Sequence, residues 1–337
     1  MNALRSALRC GLALVLAVAP GGCAGIQSAL DAHGVEAGAI AWLIWIFTAV
    51  CAAVWLLVML ALALGLLRRR RIADAPLGAH YGTGRTRVIA TFTLLTGVIV
   101  IALSVLSYLT DKSLATPGPA PLTVTLIGHQ WWWEIRYDDP DPSRSFTTAN
   151  ELHLPAGVQV KLSLQSTDVI HSFWVPSLAG KEDLIPGWKN DISFTPQSPG
   201  LYRGQCAEFC GLQHAHMGLL VAVQTRAEFD AWYAAQVAPA AMAAAPDVKR
   251  GHDVFMRSGC ILCHAIRGTR AGGRVGPDLT HVGSRMALAA DALPLSRDTL
   301  ALWIANPQGV KPGANMPRVK LADADLKAVA RYLESLR

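Results

Sequence analysis

With 337 residues, the chain has room for two compact domains as well as membrane segments. Apolar residues make up 52% of it and charged residues only 16%, a balance that excludes an ordinary soluble protein and points to membrane spans rather than an oversized core. The net charge of +6 divides unevenly: residues 1–114 hold nine Lys/Arg against four Asp/Glu, residues 115–238 seven against twelve, and residues 246–337 fourteen against eight. The two regions after the spans thus have opposite sign, which lets them attract each other or meet different partners. No nucleic-acid partner is expected.

Arg5 and Arg9 precede an apolar stretch from Gly11 to Pro20, and small residues follow up to Cys23, so residues 1–22 read as a signal peptide. Gly21-Gly22-Cys23 resembles a bacterial lipoprotein cleavage box, which makes Cys23 the expected lipidation site and membrane lipid a partner. A transmembrane hairpin is predicted over 37–111, with spans at about 40–67 and 88–110; each exceeds the roughly 20 helical residues that cross a bilayer core. Trp42, Trp45 and Trp55 are suited to anchor it at the interface. Arg68, Arg69, Arg70, Arg71, Arg85 and Arg87 crowd the connecting loop, and the positive-inside rule places that loop in the cytoplasm. Everything after about residue 111 is then expected outside.

Over 115–233 the pattern becomes all-β. Leu122–Ile127, Glu151–Leu154, Val158–Leu164 and Gly218–Val223 are short runs, several of them alternating, separated by Pro, Gly, Asp and Asn, as in an antiparallel sandwich or barrel. The chemistry lies in Cys206-Ala-Glu-Phe-Cys210-Gly-Leu-Gln-His214-Ala-His-Met217. Two thiolates four residues apart, an imidazole four further on and a thioether three beyond that can converge from one loop, and such soft donors hold copper. A Cys-x3-Cys pair alone would more often be a disulfide in an exported domain; the His and Met favour copper. A second imidazole must come from elsewhere, with His171 in Asp168-Val-Ile-His-Ser-Phe-Trp-Val-Pro176 the best placed.

The two-span hairpin, Gly128-His-Gln-Trp-Trp-Trp133, the His171 segment and the Cys206–Met217 run together resemble subunit II of the haem–copper oxidases over roughly residues 38–225. The resemblance implies a cupredoxin fold carrying a dinuclear copper centre, copper A. Its implied ligands are His171, Cys206, the backbone carbonyl of Glu208, Cys210, His214 and Met217. The family spacing and the loop's side-chain directions favour His214, leaving His216 a non-ligating neighbour. The resemblance further implies that the Glu208 side chain helps hold a magnesium or manganese ion shared with subunit I, and that Trp131 is the exposed aromatic through which electrons enter. Two positions depart from the pattern: no Glu occurs around Arg87–Thr93, and Trp188 stands where many members have Arg.

Ala234–Pro246 carries no charge and reads as an Ala/Pro linker that could reach about 40 Å when extended. Over 247–337, Cys260-Ile-Leu-Cys263-His264 is the attachment sequence for haem c, the two thiols binding it covalently and His264 its iron. Gly276-Pro277-Asp278-Leu279 resembles the cytochrome c segment beside the proximal His. Trp303-Ile-x-Asn-Pro307 and Lys311-Pro-Gly-x-Asn-Met316-Pro317 resemble the segment that delivers the distal Met, making Met316 the second iron ligand. Helices are predicted around 247–258, 296–305 and 323–336, completing an all-α class I cytochrome c domain. Met/His ligation suits electron transfer rather than oxygen binding.

The whole is thus expected to be a multidomain protein of the bacterial inner membrane, with its copper and haem domains on the periplasmic side. The resemblance implies partnership with subunit I, with subunit III, and with an external cytochrome c or another respiratory donor. The linker would turn the haem-to-copper step into a tethered encounter at an effective concentration on the order of millimolar, helped by the opposite charges. An independent copper/haem reductase would need a second, His-rich copper domain, and the chain has ten His in all. A copper-delivery lipoprotein would have no use for haem.

Overall fold

Long apolar runs leave a backbone no better choice than a helix that satisfies its own hydrogen bonds. In the computed structural model, which describes residues 24–69, 83–114, 120–240 and 245–337, they form α1 (Val35–Arg69) and α2 (Thr83–Leu114). The signal peptide, Cys23, and Arg70 and Arg71 of the loop lie outside the described residues. At 35 and 32 residues the helices are about 50 Å long, more than the hydrocarbon core requires. Their apolar side chains, such as Leu57, Phe92 and Ile101, are exposed, a surface that suits lipid and not water. Residues Gly38–Pro117 form one unit; those up to Ala37 and Gly118–Arg337 form the other.

The second unit begins its β structure at β1 (Leu122–His129), β2 (Trp132–Tyr137) and β3 (Phe146–Ala149), followed by β4 (Glu151–Pro155) and β5 (Val160–Ser166). Then come β6 (His171–Trp174), β7 (Lys181–Leu184), β8 (Asn190–Phe194), β9 (Gly200–Cys206) and β10 (Gly218–Gln224). They build two five-stranded sheets, in the orders β3-β2-β1-β5-β8 and β4-β10-β9-β6-β7. The sandwich is not wholly antiparallel as the alternation predicted: β1 pairs with β5, and β4 with β10, in parallel. The cause of the second pairing is local. β3 and β4 belong to different sheets and are separated only by Asn150, which turns the chain at φ 63°. Asparagine tolerates this left-handed conformation, and here its side-chain carbonyl also accepts the Trp133 amide at 2.8 Å.

Inward residues of both sheets, among them Leu126, Trp133, Ile135, Leu154, Leu162, Phe173 and Val221, are wholly buried in one core. On its flank lies α3 (Arg226–Val237), started by a Thr225/Glu228 capping box. Its Phe229 and Tyr233 enter the core, where Trp232 and Tyr233 meet Tyr137 and Phe146 edge-on. Ala234–Val237, read from composition as the start of the linker, are the last turn of this helix.

The C-terminal region packs α4 (Pro246–Arg257), α5 (Arg297–Ala305), the single turn α6 (Pro307–Val310) and α7 (Asp323–Ser335) around a second core containing Val254, Phe255, Ile266, Tyr332 and Leu333. The three longer helices coincide with the predicted stretches. A small hairpin, β11 (Ala287–Leu288) and β12 (Leu293–Pro294), is added to the expected all-α fold. α4 crosses α7 at Gly251, where a Cβ would run into the Ala328 carbonyl and stand 2.7 Å from Tyr332 Cβ. Only glycine permits that approach.

Candidate metal and haem sites

β9 ends at Cys206 and β10 begins at Gly218, so the intervening loop closes one end of the sandwich. Its base is fixed by the Cys206 amide donating to the Met217 carbonyl at 3.0 Å. Cys206, Cys210 and Met217 are buried there, and neither cysteine is in a disulfide. The donor atoms of His171, Cys206 and Cys210 all lie within 4.8 Å of one another. Cys206 Sγ is 3.8 Å from His171 Nδ1, and Cys210 Sγ is 3.7 Å from His214 Nδ1. The remaining neighbours complete the pairing, with the Glu208 carbonyl 3.2 Å from Cys206 Sγ and Met217 Sδ 3.9 Å from Cys210 Sγ. His216 is engaged elsewhere, its Nδ1 2.7 Å from Gln213 Oε1.

Two donors bound to one metal at about 2.0 and 2.3 Å with a near-tetrahedral angle stand about 3.5 Å apart. The two thiol–imidazole pairs are close to that spacing, and each has one further weak donor. The residues present therefore fit a pair of soft metal ions, which would occupy neighbouring positions joined by the two sulfurs. The proton chemistry agrees. A hydrogen bond with Cys210 is the main cause that pushes the Cys206 thiol well below its usual range, with His171 assisting against burial. The same hydrogen bond and burial push Cys210 up, because a second thiolate beside the first is repelled. Cations in the loop would remove that penalty.

His171 is aimed by its surroundings. Its Nε2 donates to Asp168 Oδ1 at 2.8 Å, leaving Nδ1 toward Cys206. Burial pulls the imidazole's pKa down, but the hydrogen bonds with Cys206 and Asp168 outweigh it and the net shift is upward. Asp168 also accepts the Gln130 amide at 2.7 Å, so the β1–β2 turn and the histidine share one anchor. On the other side lies Gly128, where a Cβ would stand 2.6 Å from His171 Cδ2. Gly128→Ala is expected to displace the ring and weaken copper binding roughly 10- to 100-fold, on the scale of losing an orienting partner; copper titration of the intact subunit measures it, and unchanged affinity would refute the contact's role.

Of the three tryptophans, Trp133 is buried beneath the loop and donates its indole N–H to the Met217 carbonyl at 3.4 Å, while Trp132 stacks on His129. Trp131, anticipated as exposed, is half-buried. Its Nε1 donates to the Cys210 carbonyl at 3.0 Å, and a Cβ at Gly313 would stand 3.6 Å from its ring. It thus lies between the copper loop and the C-terminal domain. Glu208 keeps its side chain in solvent.

In the C-terminal domain Cys260 and Cys263 bracket a 3-10 turn, both as free thiols. His264 Nδ1 donates to the Pro277 carbonyl at 2.7 Å, which commits that nitrogen and leaves Nε2 for iron. Burial lowers its pKa against the pull of that carbonyl, so the ring is neutral and ligand-ready. Gly276 lies against the imidazole, where a Cβ would be 2.7 Å from Cε1. Met316 is partly buried against the second core, its carbonyl accepting from Gln308 Nε2 at 3.3 Å. Paired thiols, a neutral imidazole and a thioether fit a covalently held haem.

Sequence reasoning did not single out Asp168 or Gly128 as functional, and it had Pro277 only as part of the segment expected beside the proximal His, without its carbonyl's role. Asp168 carried a signal, an acid three residues before a presumed ligand; the other two depend on tertiary contact.

Comparison with known proteins bears on the family of the two domains. The family described as "Cytochrome C oxidase subunit II, periplasmic domain" matches residues 139–224, and "Cytochrome c" matches 248–337. "Cytochrome c oxidase subunit 2" of Alkalihalophilus pseudofirmus is 33% identical over 261 residues, 75% of this chain and 74% of that one. The protein of the same name from Bacillus sp. PS3 is 33% identical over 64% of this chain and 62% of its own length. Among solved structures, the periplasmic domain of subunit II of cytochrome oxidase (CoxB) of Bradyrhizobium japonicum is 30% identical, covering 36% of this chain and 96% of that one, at a TM-score of 0.34. Since the Alkalihalophilus likeness runs through about three quarters of both chains, this chain belongs to the cytochrome c oxidase subunit 2 family, with a cytochrome c domain fused behind the copper domain.

Proposed function

We propose that this chain is the electron-entry subunit of a terminal respiratory oxidase of the bacterial inner membrane. When bound, haem c and copper A supply one-electron carriers, through which electrons from an external cytochrome c or another donor reach subunit I, where oxygen is reduced to water and protons are translocated. The chain's own residues hold and insulate that route. His171 and His214, each beside its own thiolate, with the Glu208 carbonyl and Met217 at the two ends, would hold the copper pair; this paired arrangement is the observation that carries the reading. Cys260, Cys263, His264 and Met316 would hold the haem. Trp131 is assigned electron entry on the strength of its bond to the Cys210 carbonyl.

The exposed Glu208 carboxylate is assigned to a magnesium or manganese ion shared with subunit I, and subunit III is a further expected partner. Cys23 would carry lipid, α1 and α2 would cross the bilayer, and both soluble domains would face the periplasm. The test is isolation of the intact complex. Two copper ions and one haem c per chain, a near-infrared mixed-valence band, and co-purification with a large haem-containing membrane subunit are expected. Copper-free protein with Cys206 and Cys210 joined in a disulfide would overturn the reading.

A further inference from the structure

Among the described residues Lys311 is the most deeply buried of the Lys, Arg, Asp and Glu side chains, at 2% exposure, and it lies where the copper and haem domains meet. Its three N–H groups each have an acceptor: the carbonyls of Trp131 at 2.6 Å, His216 at 2.7 Å and Ala289 at 2.9 Å. The first adjoins the copper loop and the second lies within it; the third belongs to the β11–β12 turn of the haem domain. All three partners are neutral, and taking an ammonium out of water is favourable only when its donors are satisfied. A side chain serving only to fill space would be better apolar.

The turn that receives Lys311 is itself unusual. Ala289, Ala290 and Asp291 have φ of 54°, 60° and 64°, a left-handed run disfavoured for alanine. Its Ala289 carbonyl accepts from Lys311, its Ala290 carbonyl from the Gly218 amide of the copper domain at 3.1 Å, and its Asp291 carboxylate from Arg203 of the copper domain at 2.6 Å. Nearby, Gln213 Nε2 donates to the Pro312 carbonyl at 2.7 Å and Asn315 Nδ2 to the Gln130 carbonyl at 3.2 Å. The segment Lys311–Met316 therefore begins with this clamp and ends at the thioether offered to the haem.

We propose that Lys311 is a positioning residue for electron transfer between the two centres, its ammonium locking the Met316 segment onto the backbone of Trp131 and His216. The two domains then work as one rigid pair instead of meeting afresh as tethered bodies. In the step concerned one electron leaves ferrous haem iron, which becomes ferric, and the copper pair gains it; no bond forms or breaks and no proton moves. Lys311 supplies geometry alone. The role rests on the electron-entry reading above.

The test uses the intact complex and Lys311→Met. The Gly218 amide, bound to the Ala290 carbonyl, and the Met286 amide, bound to Glu151 Oε2 at 2.7 Å, report on the contact directly. Their hydrogen exchange is expected to speed up roughly tenfold or more, while the β1–β2 ladder keeps its protection. Haem-to-copper transfer after flash reduction is expected to fall roughly tenfold, with the docked fraction. In the unaltered complex that rate should not change when glycerol raises the viscosity, and this decides the matter if the variant fails to assemble. Unchanged exchange or an unchanged rate in the variant, or a viscosity-limited rate in the unaltered complex, would overturn the proposal. Absence of any haem-to-copper transfer in the unaltered complex would sink the electron-entry reading and this role together, whereas unchanged exchange beside normal transfer sinks this role alone.

Discussion

Replacing Cys206 with serine is expected to empty the copper site and leave the haem c of this subunit reduced during turnover, with nowhere to send its electron. Serine keeps the shape of the side chain but offers a hard, neutral hydroxyl in place of a soft thiol whose ionisation its neighbours favour. Cys206 also stands against both His171 Nδ1 and the Glu208 carbonyl, so one substitution disconnects three donors. Oxygen consumption with the natural donor should fall by more than the roughly 10- to 100-fold that accompanies loss of an outer partner of a metal ligand. Asp168→Ala, which removes only the carboxylate holding His171 Nε2, should lie within that smaller range. Copper content, near-infrared absorption and the steady-state redox level of the haem measure the difference. Two copper ions retained in Cys206→Ser would sink the bridging assignment.

A second large effect is expected from Met316→Ala. With His264 and Met316 as the residues holding the haem iron, the thioether would favour the ferrous state and raise the haem potential. Its loss should lower the midpoint by roughly 100 mV or more, within the ~0.8 V that axial ligands span. At 59 mV per tenfold for one electron, uptake from the donor becomes unfavourable by more than tenfold, while delivery to copper becomes more favourable. The haem should therefore stand mostly oxidised in turnover, the reverse of Cys206→Ser. Potentiometric titration of the haem band checks this; an unmoved midpoint would mean that another group binds the iron.

The parts of the molecule that could be read from sequence are those whose logic is contiguous. The copper loop spans twelve residues and the haem attachment five, and in each the spacing alone brings donors to one place. The spans follow from uninterrupted apolar length, the strand runs and the last helix of the haem domain from hydrophobic period, and the other two long helices from the cytochrome c resemblance. His171 needed the resemblance as well as the residues, because it reaches the loop from another strand. Beyond that, legibility fails where two domains meet. The charge split suggested an acidic copper domain drawn to a basic haem domain, yet the ion pair found between them runs in the opposite sense, with Arg203 on the acidic side and Asp291 on the basic side. Lys311 was noticed only as the start of a methionine-bearing motif. Its carbonyl partners carry no sequence signal, since every residue has one.

The position of α3 changes what the connecting peptide has to do. Aromatic packing fixes that helix to the sandwich, and its final carbonyls, of Gln236 and Val237, accept from the Arg267 guanidinium of the haem domain, the second at 3.2 Å. The Ala238 carbonyl is held in turn by His281 Nε2 at 2.9 Å. The strap between the halves is thus fastened to both within its first residues. Its length ceases to set the frequency of contact, so evolution is free to lengthen, shorten or rewrite those alanines without retuning the current that passes beside them.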